Sequence, residues 1–265
     1  MRGDEATSAG EPIVAEPAAP LPSAGAGGTG GLLEMHVDPR RVVRLCGVAI
    51  AMLCAAHLLM QWFRLNTGHE YVFGFVRLFN LDGEGNAPAW FSSLLLIACA
   101  AVLWIITAGV RRRRQPFVAH WGALAAGFTF MSLDETAGIH DAVVGQAIED
   151  RFHPPGYALY FAVPGAVITF AVLLAYLLFL RHLPHRFRVL FVVAGMLYVG
   201  GAVGMESVGG AVGGTYGWNS WALHLCVFAE ETLEMVGVAL FLYALLEYVG
   251  EAMPQAALRV MRRGL

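Results

Sequence analysis

Six apolar runs recur along this 265-residue chain, each close to or beyond the ~20 residues an α-helix needs to cross a ~30 Å hydrocarbon core. They fall at about 41–63, 90–110, 117–143, 157–180, 189–210 and 221–248. Inside lipid every backbone N–H and C=O must be satisfied by the chain itself, which leaves helices and closed barrels. Runs of this length select the helix. The expected fold is therefore all-α: a polytopic membrane protein with six transmembrane helices in one bundle. Composition agrees, since 57% of residues are hydrophobic and 14% charged, against about 25% charged in soluble domains.

Arginine sets the expected orientation, because the chain contains no lysine. Arg40, Arg41, Arg44, the Arg111–Arg114 block, Arg181, Arg186, Arg188, Arg259, Arg262 and Arg263 all fall on one side of a six-span path. Arg64, Arg77 and Arg151 fall on the other. The positive-inside rule then places both termini in the cytoplasm. Lysine-free, Ala/Gly/Arg-rich usage points to a GC-rich bacterial genome, and so to the inner (plasma) membrane. Residues 1–38 read as a disordered cytoplasmic tail rich in Ala, Gly, Pro and Ser, lacking the basic start and apolar core of a signal peptide. Residues 39–250 form the membrane domain, and 251–265 a basic cytoplasmic tail.

Apart from Glu247 at the very end of the last, seven carboxylates lie within three of the apolar runs, and those runs hold no arginine to pair with them. An ionised group at bilayer depth costs roughly 2.5–3.5 kcal/mol on insertion scales, so it marks a partner, a wet cavity or a bound ion. In the third run Asp134 and Asp141 stand about 20° apart on a helical wheel, with Gly138 between them. Glu135 and His140 flank that face, and Ser132 lies one turn before Glu135 as a hydrogen-bond partner. The fifth run carries Glu206 behind Gly200 and Gly204, whose GxxxG spacing favours close helix approach. The sixth run gathers Glu230, Glu231 and Glu234 on one side, with His224 two turns from Glu231. Three like charges this close cannot all ionise at low dielectric without a cation among them. Run in alternating directions, these helices bring their acids together in the outer half of the bundle, where His57 and Gln61 of the first run reach a similar level.

The first outer connection, FNLDGEGN, alternates Asp82, Glu84 and Asn86 with other residues as a calcium loop does, but lacks the glutamate at its twelfth position. Asn86 and Pro88 are also an ordinary helix start, which is the reading preferred here. The apolar stretch before it, with Arg77 embedded, is expected to pack back over the acidic pocket as a lid, with Arg77 as the cation able to meet the acids or an anionic headgroup. Cys46, Cys54, Cys99 and Cys226 lie in apolar runs without CxxC spacing and read as small buried hydrophobes.

Over roughly residues 41–250 the chain resembles an uncharacterised group of six-span bacterial inner-membrane proteins, on FNLDGEGNAPAWFSS (79–93), SLDETAGIHD (132–141), GMESVGG (204–210) and EETLEMVG (230–237). That resemblance implies the six-span fold and carries no activity. A looser similarity, to the ceramidase-like membrane hydrolases, rests on carboxylates and histidine in outward-facing helices, without the HxxxH pair of that superfamily.

The expected function is a metal-dependent integral-membrane enzyme that oxidises or hydrolyses a lipid-soluble substrate. Its metal ligands would be Glu135, His140, Asp141, Glu206, His224, Glu231 and Glu234, with Asp134 or Glu230 as catalytic base. Carboxylates with imidazoles suit Fe, Zn or Mn; the inventory matches a di-iron carboxylate bundle, although the Glu-x-x-His signature of that class is absent. A weaker calcium site falls on Asp82, Glu84 and Asn86. The alternative is a small cation or proton-coupled transporter using the same acids. Partners are the lipid bilayer and a lipid-soluble molecule or ion, not nucleic acid.

Overall fold

The computed structural model describes residues 37–69, 71–139 and 157–253, which form helices and turns with no strand among them. The tails expected over 1–38 and 251–265 lie almost wholly outside the described residues. Helix α1 (Pro39–Thr67) starts behind Asp38, whose carboxylate accepts the Arg40 N–H at 2.9 Å, and stops at Gly68 in the left-handed region. A 3₁₀ turn (Val72–Gly74) and the short α2 (Phe75–Leu78) lead to α3 (Ala87–Arg112), capped by Asn86. Then come α4 (Val118–Ala137), α5 (Tyr157–His182) and α6 (His185–Val199). A six-residue π-helical segment (Gly200–Met205) joins α6 directly to α7 (Glu206–Tyr216), and α8 (Trp221–Ala252) follows behind a Ser220 cap.

Four stretches are long and apolar enough to cross a membrane: Pro39–Thr67, Ala87–Arg112, Gly165–His182 and the continuous His185–Tyr216. Helices α4 and α8 fall outside that set. They carry five of the seven carboxylates singled out above, and acids depress hydropathy. Along α5 the side chains of Val167, Ile168, Phe170 and Leu178 are exposed. Apolar surface this extensive belongs against lipid rather than water.

Side-chain contacts fix the helix directions. Arg64, near the end of α1, meets Asn219 and His224 at the start of α8. Arg113, just past α3, donates to the Ala252 carbonyl at the end of α8 at 2.8 Å. Thus α1 runs against α8 and α3 runs with it. At the Arg113 end, aromatic rings close α4 onto its neighbours: Trp121 packs on Phe179, Phe191 and Tyr248, and the Tyr176 hydroxyl donates to the His120 carbonyl at 2.9 Å. Arg186 pairs there with Glu247 and, at 3.5 Å, Glu251. The opposite end, where the 68–86 connection lies, is where the acids collect.

The sequence placed the tight helix contact at Gly200 and Gly204, but a Cβ at either would meet nothing within 4 Å. The close approach is made by Gly201 and Gly237 instead. A Cβ on Gly201 would come within 2.7 Å of the Glu230 carbonyl oxygen, and one on Gly237 within 2.8 Å of the Tyr198 nitrogen. The π segment is the reason, because its wider turn shifts which glycine faces α8. Overpacking against backbone costs about 1–3 kcal/mol. Gly201→Ala and Gly237→Ala should therefore each lower the unfolding temperature in detergent, while Gly200→Ala and Gly204→Ala hold or raise it. Thermal unfolding followed by circular dichroism separates the two pairs, and four equal midpoints would contradict the contact.

Candidate functional site

The 79–86 stretch is tied down by side chains from two helices. From α1, His57 Nδ1 accepts the Leu81 N–H at 3.1 Å, and Gln61 Nε2 donates to Asn80 Oδ1 at 3.2 Å. At the head of α3, Asn86 Oδ1 accepts the Ala89 N–H at 3.1 Å, and its Nδ2 donates to the carbonyls of Asn80 at 2.7 Å and Arg77 at 3.3 Å. Asn86 is thus a helix cap and a loop fastener, with its oxygen already committed. A His57 ring that accepts at Nδ1 and is neutral carries its proton on Nε2. That nitrogen is buried without a partner, as are Gln61 Oε1 and Arg64 Nε.

So fastened, the loop forms the rim of a cavity of about 400 Å³. Asp82 and Glu84 stand exposed on this rim. Below them, half-buried, are Asp134 and Glu135 from the last turn of α4, Glu206 from the first turn of α7, and Glu230, Glu231 and Glu234 from α8. Among the described residues of the wall no side chain is basic. The remaining surface is mainly apolar, including Leu95, Leu96, Met131 and Val238. Glu206 stands within hydrogen-bonding reach of Glu230, and Tyr198 within reach of Glu234. As they stand, no three His, Cys, Asp or Glu side chains among the described residues are gathered to grip a metal ion.

Of the predicted site residues, Asp134, Glu135, Glu206, Glu230, Glu231 and Glu234 share this cavity. His224 does not line it. Its Nε2 lies 2.7 Å from an Arg64 nitrogen that also donates to Asn219 Oδ1 at 2.5 Å. Arginine only donates, so His224 Nε2 is the acceptor and is not available as a metal ligand in this arrangement. The sequence reading ended α1 before Arg64; the helix runs four residues further, to Thr67, and so brings a cation to the histidine. His140 and Asp141 lie outside the described residues. The helical face expected to join Asp134 to Asp141 ends between them, because α4 stops at Ala137 and Gly138 turns left-handed at φ 58°. Glu84 occupies the space a Gly138 side chain would take. Ser132 bonds Ser93 on α3, with hydroxyl oxygens 2.9 Å apart, instead of being paired with Glu135.

Two contributions escaped the sequence reading. Tyr198 reaches the wall from α6, one residue before the chain turns towards the π segment, and no sequence spacing signals it. Asp82 and Glu84, assigned with Asn86 only to a weaker, separate calcium site, line the main acidic cavity. Their alternation with glycine was the available clue.

The profile of a domain of unknown function (DUF8692) matches residues 45–248, and the chain belongs to that family. The match spans all the cavity carboxylates. No curated protein and no solved structure matches the chain.

Removing a hydrogen-bond acceptor from a buried donor costs about 1–3 kcal/mol. His57→Ala strips the Leu81 N–H of its acceptor, so hydrogen–deuterium exchange over 79–86 should accelerate while peptides of α3 and α8 stay protected. Unchanged exchange in the loop would show that His57 does not hold it.

Proposed function

We propose that this member of the family is a metal-dependent integral-membrane enzyme that binds divalent cations in the acidic cavity and oxidises or hydrolyses a lipid-soluble substrate. One observation carries this reading. Eight carboxylates from four separate stretches of chain line one cavity of about 400 Å³. Carboxylates crowded into partly desolvated space repel one another, and the arrangement is favourable where metal ions or protons sit among them.

The donor set is oxygen-rich. With His224 held by Arg64, the described ligands suit Mg, Mn or Ca better than zinc, which favours nitrogen and sulfur. Hard cations keep part of their water shell, in keeping with carboxylates that surround a space rather than clasp one point. Glu135, Glu206, Glu231 and Glu234 would be the protein ligands, joined from the rim by Asp82 and Glu84. A divalent cation bound there would supply Lewis acidity towards water, and a redox-active ion such as Mn or Fe would supply the electrons that dioxygen chemistry needs. Asp134 or Glu230, which line the same cavity, would accept the proton.

The membrane frame proposed is six spans with both termini in the cytoplasm of a bacterium, the cavity opening outward. Arginine distribution supports the orientation. So do Trp62, Trp90, Tyr216, Trp218 and Trp221, which are exposed around the loop end, where aromatic side chains meet the bilayer interface. Helices α4 and α8 would span despite their acids, because those acids face the cavity and not lipid.

A cation or proton-coupled transporter is the second reading. The π-helical segment at the cavity wall favours it, since interrupted helices at ion sites are a transporter habit.

Elemental analysis by ICP-MS of protein purified in detergent without chelator tests the proposal. About one or two equivalents of a divalent metal are expected, as in one- and two-metal sites. Glu234→Gln and Glu231→Gln should each reduce the content several-fold. Normal content in both variants would remove these glutamates from the site. Metal-free wild-type protein would overturn the metal reading and leave the carboxylates to protons or ions in transit.

A further inference from the structure

The connection between α1 and α3 exposes an apolar face of its own. Tyr71 is 79% exposed, Phe73 89%, Phe75 46% and Leu78 42%. Within the same short stretch Val76 and, just beyond, Leu81 are buried at 6% and 3%. The segment is therefore apolar on both sides: one side anchors it to the bundle, and the other faces outward. Phe73 has φ 49°, in the left-handed region that bulky residues avoid because of their Cβ. That strained backbone presents the most exposed aromatic ring of the described residues, an arrangement water would not reward.

Location identifies what covers it. The segment joins the ends of two helices long and apolar enough to cross a membrane, so it lies at the level where the bilayer surface begins. Trp62, Phe63 and Trp90, near the ends of those two helices that the segment joins, are exposed as well. Arg77 is exposed on the same turn and complements the phosphates found at that depth. Tyrosine and phenylalanine beside a basic residue is the composition of an interfacial element lying in the headgroup–acyl boundary.

We infer that residues 71–78 form an interfacial wedge that buries Tyr71, Phe73, Phe75 and Leu78 in the adjacent leaflet of the bilayer. The wedge continues into the 79–86 loop, so one connection touches the membrane with one end and rims the acidic cavity with the other. The contact is independent of what the cavity binds.

Site-directed spin labelling tests it. A nitroxide at Phe73→Cys, in a background with the native cysteines replaced and the protein in phospholipid nanodiscs, is read by power saturation against oxygen and a nickel chelate. The reference positions are Val167→Cys on the exposed face of α5 and Glu251→Cys at the polar opposite end. The expected oxygen-to-nickel collision ratio at 73 lies several-fold above that at 251 and close to that at 167. A ratio matching position 251 would overturn the wedge, with position 167 showing separately that the protein is in the bilayer. Spin–spin broadening that disappears on dilution with unlabelled protein would also overturn it, by assigning the face to a second copy. Tyr71→Cys gives the same readout if the substitution at Phe73 disturbs folding.

Discussion

The backbone of the α6–π segment lies directly against the backbone of α8 because Gly201 and Gly237 have no side chains to hold them apart. That contact sets the distance between the two richest walls of the cavity. It brings Tyr198 within hydrogen-bonding reach of Glu234 and stations Glu206 opposite Glu230. On the other side α4 is packed chiefly against α3 through hydroxyls, with Ser93 bonded to Ser132 and to Thr136. Helix α3 also packs along α8, with the Cys99 thiol 3.7 Å from the Val238 carbonyl oxygen, and the cavity is lined from α3, α4, the π segment, α7 and α8 together.

A bundle that opens at one end needs something to define its mouth, and the α1–α3 connection does this with ordinary backbone hydrogen bonds. His57 and Gln61 sit one turn apart on α1 and are fully buried, so the loop is referenced to the most protected part of that helix. Asn86 fixes the other end against α3. The polar group formed by His57, Gln61, Arg64 and His224 is therefore a scaffold for the rim, separate from the carboxylates it stands beside.

Apolar run length and arginine-free acidic segments were enough to read the helices from sequence, since both follow from the cost of placing polar groups in hydrocarbon. Five of the six runs match observed helices to within a few residues, with the π segment carrying the fifth onward to Tyr216. The third ends early at Gly138. The grouping of Asp134 and Glu135 with Glu206 and the α8 glutamates was also legible, because alternating helix directions put them at one depth. Side-chain direction was not. His224 lies on nearly the same stripe as Glu231, yet it answers to Arg64, whose position depends on how far α1 extends. The glycine that makes the close contact was one residue off, because a period of 3.6 does not count across a π turn. The 79–86 loop, and not the apolar stretch before it, rims the cavity; the alternation of Asp82 and Glu84 with glycine marked a ligand-like spacing but not that fold-back.

The π segment also gives the site a property that a uniform helix would lack. A π turn is an α-helix with one residue inserted, and an insertion within a run as glycine-rich as Gly200–Gly204 has few side chains to obstruct its migration. Relocating it past Glu206 turns that residue by about 100° around the helix axis, away from Glu230, while leaving the ends of the helix where they are. The number of acids facing the cavity is thus tied to the register of a single helix, so the charge of the chamber is a conformational variable as well as a chemical one.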